Sequence, residues 1–216
     1  MIGSPGRVML VCCVTVLSVF GCTSAGSRSD DAYTFDAEQA PVQVDNPGLR
    51  QQKAKAKIAD CPSSSEAALV EGGLPDITLP CLGGGRDVRL AGLRGTPMVL
   101  NFWAQTCGPC RTESPLFQQL HEAAGEEVAM VGIDWQDARP GYALAFADEL
   151  GLTYPQIADP EGATRAPMRV TGLPLTLFVT AAGKVSHTEY GAIDSAGELA
   201  SMVDRYLGVE VDLGSP

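Results

Sequence analysis

No apolar run in this chain reaches the roughly 20 residues needed to cross a bilayer as a permanent helix, and no Lys/Arg cluster offers a surface for phosphate backbones. Only 15 basic residues face 26 acidic ones, for a formal charge of −11, which argues against nucleic acid as a partner. Histidine is nearly missing, and no second close C-x-x-C accompanies the one at 107–110, so the usual ligand layout of a zinc ribbon is lacking. Internal repeats are absent too. The run Gly83-Gly84-Gly85 lacks the Lys-Ser/Thr ending of a phosphate loop and reads as a flexible turn. What is present is a globular composition, 45% apolar and 19% charged. At 216 residues the chain has room for one ordinary domain with a targeting segment and a tether.

The N-terminus reads as an export signal. Arg7 precedes an apolar run from Val8 to Phe20, which ends at Gly21-Cys22 and turns abruptly polar. Val19-Phe20-Gly21-Cys22 resembles a bacterial lipobox, in which the cysteine is acylated and becomes the first residue of the mature protein. Phe20 is bulkier than the small residue usual there, so export with another cleavage site stays open. The expected organisation is a lipoprotein-type signal peptide at 1–21, a flexible tether at 22–60, a globular domain at 61–208 and a tail at 209–216. Within the tether, Gln51 to Ile58 alternates Lys with Ala and is read as a solvated basic stretch rather than a short helix.

Of seven cysteines, Cys12 and Cys13 leave with the signal and Cys22 is taken by acylation, which leaves Cys61, Cys81, Cys107 and Cys110. An even remainder in an exported domain suggests two disulfides, with three possible connectivities.

Pro97–Trp103, Val128–Ile133 and Leu175–Thr180 are nearly continuous apolar runs of strand length, as expected for strands covered on both faces. Helices are expected from about Gly108 to Ala124 and from about Gly141 to Leu150. Val185–Tyr190 completes a hairpin with the third run, and a last helix opens on the capping box Ser195–Glu198 and closes at Gly208. Strands alternating with helices point to an α/β sheet.

Cys107-Gly108-Pro109-Cys110 falls where the first strand gives way to a helix. Unpaired N–H groups and the positive end of the helix dipole there favour a thiolate at Cys107. Cys110 follows one turn later, close enough to resolve a mixed disulfide. Pro109 suits a first turn, where its missing N–H has no intrahelical acceptor.

The stretch Asn101-Phe102-Trp103-Ala104-Gln105-Thr106-Cys107-Gly108-Pro109-Cys110 resembles the active-site segment of thioredoxins, and Thr171-Gly172-Leu173-Pro174-Leu175-Thr176 resembles their cis-proline loop. Leu74–Leu79 resembles the first strand of the TlpA/ResA-like extracytoplasmic branch. The likeness spans about Leu74 to Leu207. It implies a thioredoxin-like α/β fold, a central mixed sheet flanked by helices, here with an N-terminal extension and an αβ insertion before the hairpin. It implies a cis Pro174 beside the active-site disulfide, and a proton-transfer role for Glu113, against the alternative of a solvated helix glutamate. Asn101 stands where many cytosolic thioredoxins have Asp, and Thr106 departs from the usual Trp.

The implied activity is thiol:disulfide exchange through Cys107 and Cys110 without cofactor or metal. The branch usually keeps apocytochrome c or other exported thiols reduced, with electrons from a CcdA-like membrane protein and a lipid anchor holding the domain at the outer face of the cell membrane. A disulfide oxidase, or a thiol peroxidase, is the alternative. Cys61 and Cys81 are read as a structural staple of roughly 3 kcal/mol, with a redox relay as the lesser reading.

Overall fold

A computed structural model describes residues 41–214. The signal peptide at 1–21, Cys22 and the first half of the expected tether lie outside them.

The centre is a five-stranded mixed sheet in the order β5-β4-β3-β6-β7, made of β3 (Met98–Trp103), β4 (Ala129–Trp135), β5 (Gln156–Asp159), β6 (Leu175–Val179) and β7 (Val185–Tyr190). β3 runs parallel to β4 and antiparallel to β6, β4 is parallel to β5, and β6 is antiparallel to β7. Every residue of β3 is buried, as its unbroken apolar run requires. Val99 and Trp103 project to one face, Leu100 and Phe102 to the other.

The chain moves one way across the sheet, from β3 through β4 to β5, with two parallel crossovers. Right-handed crossovers in one direction place both connecting helices on the same face. Accordingly α2 (Gly108–Ala124) and α3 (Pro140–Glu149) pack with Phe117, Leu120, Leu144 and Phe146 over Val99, Trp103 and Met130. The last helix, α4 (Ala196–Leu207), adds Leu199 and Val203 to that layer. The opposite face is covered by a short hairpin, β1 (Thr78–Leu79) with β2 (Val88–Arg89), and by Leu90, Leu93 and Val170.

Helix ends follow local chemistry. Ser195 caps α4 by accepting the Glu198 N–H at 3.2 Å, Glu198 accepts in return from Asp194 N–H at 3.0 Å, and Gly208 ends the helix at φ 70°. Inside α2, Pro115 has no N–H for the carbonyl of Arg111, and the Ser114 hydroxyl donates to the Cys110 carbonyl at 2.7 Å.

The structure corrects the expectations at both ends of the domain and at the glycine run. The tether does not extend to residue 60: packing begins at Val42 and Val44, and Pro47–Lys55 forms helix α1 against α3. Asn46 caps α1 through the Leu49 N–H at 3.0 Å, and Leu49, Lys53 and Ala56 bury one stripe at i, i+4, i+7. Alternating Lys and Ala hid that stripe, because one of its members is itself a lysine. The expected tail is likewise part of the body, with Val209, Val211 and Leu213 packed against the helical layer. The glycine run is a tightly closed loop rather than a loose turn. Gly83, Gly84 and Gly85 all have positive φ, and a Cβ at Gly84 would stand 2.5 Å from Asp45 Oδ1.

Phe117 sits fully buried between α2 and the sheet. Phe117→Ala is expected to cost about 3–5 kcal/mol, measured as a lowered denaturant midpoint with unchanged slope.

Candidate functional site

β3 ends at Trp103, and the turn that follows delivers Cys107 to the N-cap of α2. The Cys107 Sγ accepts the backbone N–H of Cys110 at 3.2 Å, so one orphan donor of the helix start points at the sulfur. Cys107 and Cys110 form a disulfide with Cα atoms 5.3 Å apart. Their surroundings differ. Cys110 is fully buried in the helical layer, whereas Cys107 is half-buried with Thr106, Gly108 and Pro109 exposed around it. An incoming thiol therefore reaches the Cys107 sulfur first.

The Leu173–Pro174 peptide bond is cis. Antiparallel pairing of Phe102 with Leu175 puts Pro174 one step beyond the end of that register, at the end of β3 from which the Cys107 loop departs. The Pro174 carbonyl accepts from Gly191 N–H at 3.1 Å, which ties this loop to the far end of the hairpin.

Glu113, one turn after Cys110, faces inward and is 1% exposed. Its Oε1 accepts from Asn101 Nδ2 at 2.8 Å and its Oε2 from the backbone N–H of Ile193 at 3.0 Å. Asn101 Nδ2 also donates to Thr176 Oγ1 at 3.1 Å, linking α2, β3, β6 and the loop before α4. Burial pushes the Glu113 carboxyl up to about 7, against the two hydrogen bonds that favour its ionised form. The solvated alternative is thereby removed. A group balanced near neutrality behind a buried cysteine can take or return one proton as that cysteine changes state.

Other residues around the site carried no readable signal in sequence. Asp137 is buried, accepts from Arg139 N–H at 2.9 Å and from Gln105 N–H at 3.4 Å, and so holds the loop that precedes Cys107. Asp134, at the end of β4, is driven well above the usual carboxylate range by burial and then by Asp137. The Arg111 guanidinium lies 4.7 Å from the Phe146 ring centre and pairs with Glu149 at 2.9 Å. Phe146 in turn stacks on Trp103 at 4.8 Å, and Trp103 Nε1 donates to Gln156 Oε1 at 2.9 Å. Only the fold brings these groups together.

Cys61 and Cys81 form the second disulfide, with Cα atoms 5.8 Å apart. It stands away from the first, at the β5 edge, where Cys81 bridges to Ile157.

Residues 70–188 match the AhpC/TSA family. The chain is 31% identical over 134 residues to the thioredoxin-like protein YneN of Bacillus subtilis, covering 61% of this chain and 78% of that protein. It is equally 31% identical over 134 residues to the thiol:disulfide interchange protein DsbE of Xylella fastidiosa, of whose length it spans 66%. Among solved structures, a putative DsbE from Chlorobium tepidum superposes with a TM-score of 0.56 at 28% identity, over 68% of this chain and all of that one.

The Glu113 carboxyl titrates near 7 in the folded protein and near 4.5 when unperturbed, so its neutral form stabilises the fold below about pH 4.5. That contribution, on the order of 3 kcal/mol, is lost as pH rises through 7. Denaturant unfolding of the oxidised protein from pH 4.5 to 8 is expected to show this decline, and Glu113→Gln to flatten it.

Proposed function

The chain belongs to the AhpC/TSA family, within the TlpA/ResA-like thioredoxin branch of thiol:disulfide oxidoreductases, and from that premise we propose that it keeps exported protein thiols reduced, apocytochrome c among them. The observation that carries this reading is the unequal exposure of one disulfide, Cys107 open at a helix start and Cys110 sealed behind it with Glu113 one turn away.

In the reduced protein the Cys107 thiolate, favoured by the N–H groups of the first turn of α2, attacks one sulfur of a substrate disulfide and expels the other as a thiolate. Cys110 then gives up its proton, for which Glu113 is the acceptor, and attacks the Cys107 sulfur. The second substrate thiol leaves, and the Cys107–Cys110 disulfide remains. Two electrons have passed to the substrate, and a dithiol donor must return them. A CcdA-like membrane protein fits that place. Leu173, before the cis proline, offers its backbone to an extended substrate segment in the manner of an added strand.

Export and attachment fit the same reading. Cys22 would carry a lipid and hold the domain at the outer face of the membrane, where both its donor and its substrates lie.

Cys110→Ser is expected to accumulate mixed disulfides through Cys107, visible as reducible adducts on gels, while Cys107→Ser traps none and loses exchange activity to background. Capture of no adduct by Cys110→Ser would count against exchange altogether. The reduction potential of Cys107/Cys110 fixes direction: a value near that of thioredoxin supports the reductase, and one near that of DsbA replaces it with an oxidase.

A further inference from the structure

Lys53 is the buried lysine of α1, 5% exposed, and nothing in the exchange chemistry of Cys107 uses it. Its three N–H bonds have three partners: the Gly84 carbonyl at 2.8 Å, Asp60 Oδ1 at 3.2 Å and Cys81 Sγ at 3.3 Å. The Asp60 side chain is 81% exposed, so its charge is largely screened by water and offsets little of the cost of burying an ammonium. The third N–H is aimed at a disulfide sulfur, a weak acceptor. In the oxidised protein this cation is thus under-compensated at one of its two buried contacts.

Reduction would change that contact. A thiolate on Cys81 would give Lys53 a full counter-charge at hydrogen-bond distance, the strong class of such bonds. The partner sulfur differs: Cys61 Sγ lies nearer the Gln156 carbonyl, an acceptor suited to a neutral S–H, at 3.2 Å against 3.7 Å for Cys81 Sγ, and of the two sulfurs Cys81 is the one bonded by Lys53. One sulfur is placed to become a thiolate and the other a thiol.

We propose that Cys61–Cys81 is a second thiol:disulfide couple of this protein, reducible in the folded state by dithiols, with Cys81 as the leaving sulfur held by Lys53. A thiolate of the dithiol attacks Cys61 Sγ, the Cys61–Cys81 bond breaks, and Cys81 departs as a thiolate beside the ammonium. The second thiol of the reductant, having lost its proton, attacks its own sulfur in the mixed disulfide. Cys61 leaves, takes up a proton and, as an S–H, donates a hydrogen bond to the Gln156 carbonyl. Two electrons enter the protein; of the two protons released by the dithiol, one stays on Cys61 and one goes to solvent.

Both sulfurs are buried, at 2% and 1% exposure, so attack requires a local opening. The segment that carries Cys61 supplies it. It lies in no helix or strand, and the backbone bonds that bracket it run from Ala59 N–H to Thr153 and from Ser65 N–H to Gly92. Freeing the few residues between them leaves the sheet intact.

The test is an equilibrium titration of the whole protein in dithiothreitol buffers at pH 7, with alkylated cysteines of each pair quantified separately by mass spectrometry. The unaltered protein should show Cys61–Cys81 reduced while native circular dichroism persists. Lys53→Met, which keeps the apolar stem, should shift the Cys61–Cys81 equilibrium about tenfold or more toward the disulfide, leave Cys107–Cys110 unmoved, and Lys53→Arg should largely restore it. Should Lys53→Met fail to fold, the pH dependence of Cys81 alkylation in the reduced unaltered protein decides. Its midpoint is expected below the ordinary thiol value of about 8.5. The proposal is overturned if the pair reduces only as the protein unfolds, if Lys53→Met leaves its equilibrium in place, or if Cys81 titrates at or above that ordinary value. None of these outcomes depends on what Cys107 exchanges with.

Discussion

A carboxylate removed from water must find donors or lose its charge, and the burial of Glu113 sets this condition at the centre of the molecule. The donors it meets come from distant parts of the chain, the Asn101 side chain on β3 and the Ile193 backbone before α4, with Thr176 of β6 behind Asn101. Each is fixed by sheet register or by a helix cap, so the carboxyl can be held near its balance point only while the whole domain is assembled. The cysteine pair inherits its setting from that assembly, since Cys110 and Glu113 are successive inward positions of one helix.

The sheet topology explains the layout around this centre. Crossovers in one direction crowd the helices onto one face and leave the other to a two-stranded hairpin and irregular chain. Trp103 shows what the crowded face does: it stacks on Phe146, which carries Arg111 above it, while its indole nitrogen is taken by Gln156. The strand that ends in the reactive loop is thus clamped from α2, α3 and β5 together. Rigid support of this kind is what lets a single half-buried sulfur be presented at a helix start.

Much of this is legible in the amino-acid order. Met98–Trp103 reads as a buried strand because nothing in it except Asn101 is polar, Cys107 to Cys110 reads as a helix start, and Ser195–Glu198 writes its own cap. Other parts are not. β5 has four residues with polar Gln156 and Asp159 at its ends, both internally bonded, so no alternation reveals it. α1 is masked by a lysine on its buried stripe, and its Asn46-Pro47 start is a local sign of a helix that composition outweighs. Glu113 is recognisable by spacing, but its environment depends on Ile193, eighty residues away, through a backbone atom that no side-chain pattern encodes. The contact of Lys53 with Cys81 is of the same kind, created by a loop of glycines whose conformation appears only once the sheet edge is in place.

The two margins of the sheet are closed by different means. Beyond β5, Cys81 bridges to Ile157 and occupies part of that rim. At β7 the start of the rim is taken by the Gly72 carbonyl, which accepts from Val185 N–H at 3.0 Å, and Ser186, His187, Thr188 and Glu189 run along the rest, with His187 bonded to Glu189 and stacked on Tyr206. A polar, partly charged border of this sort discourages strands of neighbouring molecules from zipping onto it. Copies at high local concentration can then stay separate, each with its reactive corner unobstructed.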